Sequence, residues 1–136
     1  MDTKELGNFG EKMACEYLVK KGFKILGRNY RINFGEIDII AHKKWKPFTR
    51  PDKTIHFVEV KTLRQSQGKP DDDFFPEERV DYKKQRKLRN LAQIWIQKNK
   101  FAQDYPYQID IIGILVNETT RNAKLHYFGN VVEDKS

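Results

Sequence analysis

The sequence predicts a layered α/β or α+β domain in which helices flank a mixed central sheet. Three observations carry that prediction. Apolar residues fall into short runs of helical or strand period. The runs come in the order helix, strands, helix, strands, which suits layered packing. No repeat, low-complexity tract or linker divides the 136 residues, so residues 1–136 are expected to build a single domain around one core.

The first helix is predicted from about Gly7 to Lys21, with Asn8 as N-cap and Gly22 as the terminating residue. Its apolar stripe is Met13, Ala14, Tyr17 and Leu18. Glu11 aligns with Ala14, Cys15 and Leu18 and so borders the buried side, either complementing the helix dipole or serving a site. Phe23 to Ile32 reads as a strand rich in cations, among them Arg28 and Arg31. A short turn at Asn33-Phe34-Gly35 leads into a second strand, Gly35 to Ala41, where Glu36, Asp38 and Ile40 are expected to share a face. The polar segment from His42 to Thr54 is a long loop.

Ile55 to Thr62 is the chemically odd stretch. It is an apolar, β-branched run that carries two charges in its middle. Alternation sends Phe57, Glu59 and Lys61 to one face and His56, Val58 and Val60 to the other. In a strand covered on both faces, that pair costs desolvation free energy, which a catalytic centre would offset; on an edge strand it would simply face water. Neighbouring strands lie about 5 Å apart, so Asp38 and Glu59 reach one pocket if the register allows. Two acids there would favour a shared proton or a bound cation.

Leu63 to Pro76 is polar, and Asp71 to Asp73 read as a solvated run without chemistry. Pro76-Glu77-Glu78 is expected to open a second helix running to about Lys100. Leu88, Leu91, Ala92, Trp95 and Ile96 form its stripe, and Lys83, Lys84, Arg86, Lys87 and Arg89 cluster near its start, either gripping phosphates or forming an ordinary solvated face. Tyr107 to Val116 is a strongly apolar strand in which Asp110 reads as a supporting or structural acid rather than a ligand. Lys124 to Phe128 is predicted as an edge strand and Glu133 to Ser136 as a charged tail. His42, His56 and His126 have no ligand spacing and read as surface or packing residues.

A net charge of +7, from 26 Lys and Arg against 19 Asp and Glu, favours polyanionic partners. The single cysteine, Cys15, excludes an internal disulfide and a cysteine-based zinc site. Met1 to Phe9 lack a leader's apolar region and no run approaches membrane-spanning length, so a cytoplasmic protein without membrane attachment is expected.

Taken together, Gly10-Glu11, Asn29-Tyr30-Arg31, Gly35-Glu36-Ile37-Asp38, Phe57-Val58-Glu59-Val60-Lys61 and the lysine-rich helix resemble the YraN-like family of small bacterial predicted endonucleases. That family is similar to the PD-(D/E)xK superfamily and its Holliday-junction resolvases, whose fold is restriction-endonuclease-like. The resemblance implies a metal-dependent DNA endonuclease acting on branched or single-stranded DNA in recombination or repair. It implies Asp38, Glu59 and Lys61 as the D and E-x-K residues and Glu11 as an added helix acid. By the same resemblance Asp38, Glu59, the Val60 carbonyl and Glu11 would hold Mg²⁺ or Mn²⁺. Arg28, Arg31, Arg64, Lys83, Lys84, Arg86 and Lys87 would contact phosphates without reading sequence. Resolvase analogy adds a homodimer. The His42–Thr54 loop is longer than the family pattern. The competing reading is a module that binds nucleic acid in a DNA-processing assembly without cutting it.

Overall fold

A computed structural model describes residues 1–65 and 81–131. Within them the order is α1 (Thr3–Lys20), β1 (Phe23–Ile32), β2 (Gly35–Lys43), β3 (Ile55–Arg64), α2 (Tyr82–Lys98), β4 (Tyr107–Asn117) and β5 (Asn122–Phe128). The five strands form one sheet in sequence order. β1, β2 and β3 pair antiparallel, β3 and β4 pair parallel, and β4 and β5 pair antiparallel. The expected mixed sheet between helices is therefore present. β3 is central, but its pairing with β2 ends at Val58, so Glu59 and Lys61 lie on a stretch of β3 paired with β4 alone.

Each helix seals one face of the sheet. Leu6, Ala14 and Leu18 of α1 pack with Ile39, Ala41, Val58, Ile112 and Ile114. On the opposite face Leu88, Leu91, Ala92, Trp95 and Ile96 of α2 pack with Ile37, Ile40, Ile55, Phe57 and Ile109. Both faces of the central strands are thus apolar, which is why β3 and β4 read as nearly continuous hydrophobic runs.

α1 begins earlier than its stripe suggested. Asp2, not Asn8, is the N-cap, accepting from the Glu5 N–H at 2.8 Å, and Leu6 adds a buried turn. α2 is capped by Asp81, whose side chain accepts from the Lys84 N–H at 2.8 Å. The expected helix start at Pro76–Glu78, the acids Asp71–Asp73 and the tail Glu133–Ser136 lie outside the described residues. β2 also departs from simple alternation. Ile37 and Ile40 both pack toward α2 whereas Ile39 packs toward α1, so Ile40 does not share the face of Glu36 and Asp38.

Candidate metal centre

Two features of the sheet open a site around Asp38. The β2–β3 ladder runs only from His42↔Ile55 to Ile39↔Val58, while β3 continues along β4 as far as Arg64. Beyond Val58, therefore, β2 and β3 part. The Asp38 carboxylate fills the gap, and its Oδ2 accepts the Val60 N–H at 2.7 Å. Opposite it on β1, Asn29 takes the left-handed backbone conformation at φ 51°, which asparagine tolerates better than most residues.

The helix reaches this gap through a glycine. A Cβ on Gly10 would stand 1.8 Å from the Thr62 hydroxyl oxygen of β3, so only glycine allows α1 to lie this close. The next residue, Glu11, is consequently delivered to the sheet. Glu11, Glu36 and Asp38 each place a carboxylate oxygen within 4.8 Å of the others. The Asn29 amide lies with its nitrogen toward these acids, since its oxygen would otherwise meet only acceptors. So placed, it donates to Glu36 Oε1 at 3.2 Å and Glu11 Oε2 at 3.1 Å. Arg31 Nη2 donates to Glu36 Oε2 at 3.0 Å.

On the other side of the gap, Lys84 of α2 holds Glu59 Oε1 at 2.7 Å. Lys61, two residues beyond Glu59 on the same strand face, is half-buried.

The electrostatics follow from this crowding. Burial first, then the neighbouring Glu59, pushes the Asp38 carboxyl up to about 7, against the pull of the Val60 N–H. Burial also raises Glu11, partly opposed by the Arg28 guanidinium. Burial would lower Lys84, but its bond to Glu59 together with the charges of Glu59, Asp38 and Asp81 raises it. Carboxylates held together at this cost in charge repulsion form a ready-made acceptor for a hard cation. The three carboxylates thus make up an acidic cluster of a kind that could hold a metal ion through oxygen.

The structure brings Glu11 and Asp38 together and adds Glu36, which the sequence reading had placed beside Asp38 without giving it a role. Its spacing from Asp38, two residues along a strand, was the available signal. Glu59 borders the group but is engaged by Lys84. Lys83, Lys84, Arg86 and Lys87 are exposed along the start of α2, and Arg28 is exposed on β1. Arg31 is paired with Glu36, and Arg64 with Glu118 at 3.0 Å and with the Met1 carbonyl.

Asp110 stands apart from the trio. It is fully buried and accepts from His56 Nδ1 at 2.6 Å, Tyr127 Oη at 2.5 Å, Gln108 Nε2 at 2.7 Å and the Asn130 N–H at 2.8 Å. Burial alone would raise it, but these four donors hold it below the usual carboxylate range. His56 is accordingly a buried partner of Asp110 rather than a surface residue. No helix among the described residues is long and apolar enough to cross a membrane.

The model of the uncharacterised protein family UPF0102 matches residues 10–114. A UPF0102 protein of Caldicellulosiruptor bescii is 34% identical over 98% of each chain. One from Clostridioides difficile is 38% identical over 94% of this chain and 100% of its own. Among solved structures, Pyrococcus furiosus SfsA in complex with Ca²⁺ superposes with a TM-score of 0.36 at 16% identity. The overlap covers 94% of this chain and 63% of that one, a likeness too loose to bear on the site.

Proposed function

Because the chain belongs to the uncharacterised protein family UPF0102, whose name assigns no activity, we propose its function from the site: a metal-dependent endonuclease that hydrolyses DNA phosphodiester bonds. The observation that carries this reading is the convergence of Glu11, Glu36 and Asp38 beside Glu59 and Lys84 where β2 and β3 part. The resemblance to PD-(D/E)xK nucleases supports it independently, through Asp38, Glu59 and Lys61.

In this reading Asp38, Glu11 and Glu36 hold Mg²⁺ or Mn²⁺, with Glu59 and the Val60 carbonyl at its margin. The bound cation would polarise the scissile phosphate and acidify water. The chain's own contributions can be stated residue by residue. Val60 N–H and Asn29 fix the carboxylates before any substrate arrives. Lys61 offers positive charge to the phosphate as negative charge develops on it. Lys83, Arg86 and Lys87 lie exposed on one side of the site and Arg28 on the other, so a phosphate backbone can be gripped across the gap. Lys84 balances Glu59 until substrate or metal competes for that carboxylate. Recombination or repair substrates, with branched or single-stranded segments, fit the resolvase resemblance, as does a homodimer.

A second reading keeps one observation on its side. Glu59, the E of the E-x-K pair, is tied to Lys84 at 2.7 Å, as in a site that binds phosphates without cutting. Cleavage of labelled duplex, single-stranded and four-way-junction DNA in EDTA, Mg²⁺ or Mn²⁺ separates the two. The nuclease reading expects metal-dependent cutting that is lost in Asp38→Ala and Lys61→Ala while binding persists. Binding without cutting under every metal condition selects the second reading.

A further inference from the structure

The loop joining β2 to β3 has chemistry that the metal centre does not use. β2 extends through His42 and Lys43, where the sequence predicts loop, so the connection has eleven residues, 44–54, and carries four cations, Lys44, Lys46, Arg50 and Lys53, against one acid, Asp52. Three of the chain's net seven positive charges therefore sit there. Among them are two aromatic side chains turned outward: Trp45 is 63% exposed and Phe48 is fully exposed.

The exposure is built in. At the loop tip the Thr49 N–H and hydroxyl both donate to the Lys46 carbonyl, at 3.3 and 2.7 Å, closing a turn with Pro47 second and Phe48 third. Phe48 has φ 66°, the left-handed conformation that the third position of a type II turn reserves for glycine or asparagine. A bulky aromatic there is strained, so the turn itself gives no reason for a phenylalanine. Elsewhere the loop is pinned by Lys44 N–H to the Gly22 carbonyl at 2.9 Å, by Thr54 N–H to Asp52 at 3.1 Å and by the Lys43–Asp52 pair at 3.7 Å.

Behind Trp45 lies a cavity of about 290 Å³. Trp45, Phe101 and Tyr105 supply aromatic walls, Ile55 and the bulge residue Leu26 supply apolar ones, and Lys43 and Lys53 line it as cations, with the Asp52 carboxylate paired to Lys43. Flat apolar surfaces next to cations match an unpaired nucleobase with its phosphate. A duplex, whose bases are stacked and inaccessible, offers no such partner. Along β2 the first loop residue, Lys44, stands roughly 20 Å from Asp38, at about 3.3 Å per residue. A strand with bases stacked about 3.4 Å apart spans that in about six steps.

We propose that the 44–54 loop and the cavity behind Trp45 bind unpaired nucleotides of a nucleic acid whose backbone continues to the metal centre. This rests on the nuclease reading for the identity of the polyanion and adds the structure it recognises. Intrinsic fluorescence provides the test, because the chain has two tryptophans and Trp95 is buried. Titrated in EDTA, an unstructured single-stranded oligonucleotide should quench Trp45, and a duplex of equal length should not. Trp45→Ala and Phe48→Ala should each weaken single-strand binding by about tenfold, the worth of one stacked base, and leave duplex binding unchanged. Both side chains are exposed, so neither variant endangers folding. Unchanged single-strand affinity in both variants would overturn the proposal and leave these aromatics to a protein partner, while metal-dependent cleavage would keep the nuclease reading standing. A wild type that binds no nucleic acid would overturn both.

Discussion

At the scale of the residue, Asp38 concentrates the tension of the site. Its carboxyl is pushed up to about 7 by burial and by Glu59. The folded state therefore holds the Asp38 proton more tightly than the unfolded chain does. The associated stability is present below the ordinary value near 4 and is lost as pH rises through 7. Asp38→Asn should accordingly stabilise the metal-free protein at pH 8, by on the order of 2 kcal/mol after discounting for partial exposure, as measured by urea unfolding. Lys84→Ala should slow cleavage more than Lys83→Ala, since only Lys84 meets Glu59; equal rates would remove Lys84 from the site. Much of this site was legible because strand alternation marks acids on apolar strands. Glu36 lacked a stated role because its convergence with Glu11 depends on the irregularity of β2 and the left-handed Asn29, which no period encodes.

At the scale of the element, close approach and buried polar contacts set positions. Gly10→Ala would drive a methyl into Thr62, shift α1 off β3 and misplace Glu11. Overpacking of this kind costs about 1–3 kcal/mol. Thr62→Ala should restore part of the loss, so the double variant should melt above Gly10→Ala alone; strict additivity would argue against the contact. Asp110 joins β4 to His56 of β3, Tyr127 of β5 and the Asn130 backbone, so Asp110→Ala should cost about 3–5 kcal/mol by stranding buried donors. Because Asp110 is held below its ordinary value, its stabilisation is present above about pH 4 and lost as pH falls further. Asp110→Asn should flatten acid unfolding in that range. The strands could be read from apolar runs of strand length, whereas their order in the sheet needed the fold. The start of α1 could not, because Asp2 caps a first turn whose only buried residue is Leu6.

At the scale of the whole molecule, charge and topology divide the work. α1 brings an acid to one side of the sheet and α2 brings cations to the other, while the β2–β3 loop carries a separate basic aromatic surface. Nucleic-acid affinity should fall steeply with salt, since each phosphate contact releases a counterion. The excess of cations was legible from composition, but its division between α2 and the loop needed the fold. The central claim is that three carboxylates hold a divalent cation. Titrating Mn²⁺ into the wild type and Asp38→Asn at pH 8, with free Mn²⁺ read by electron paramagnetic resonance, tests that most directly. The account predicts saturable binding by the wild type, weaker below pH 7 as Asp38 takes up its proton, and its loss in Asp38→Asn. Equal Mn²⁺ uptake by both proteins, or none by either, would contradict it.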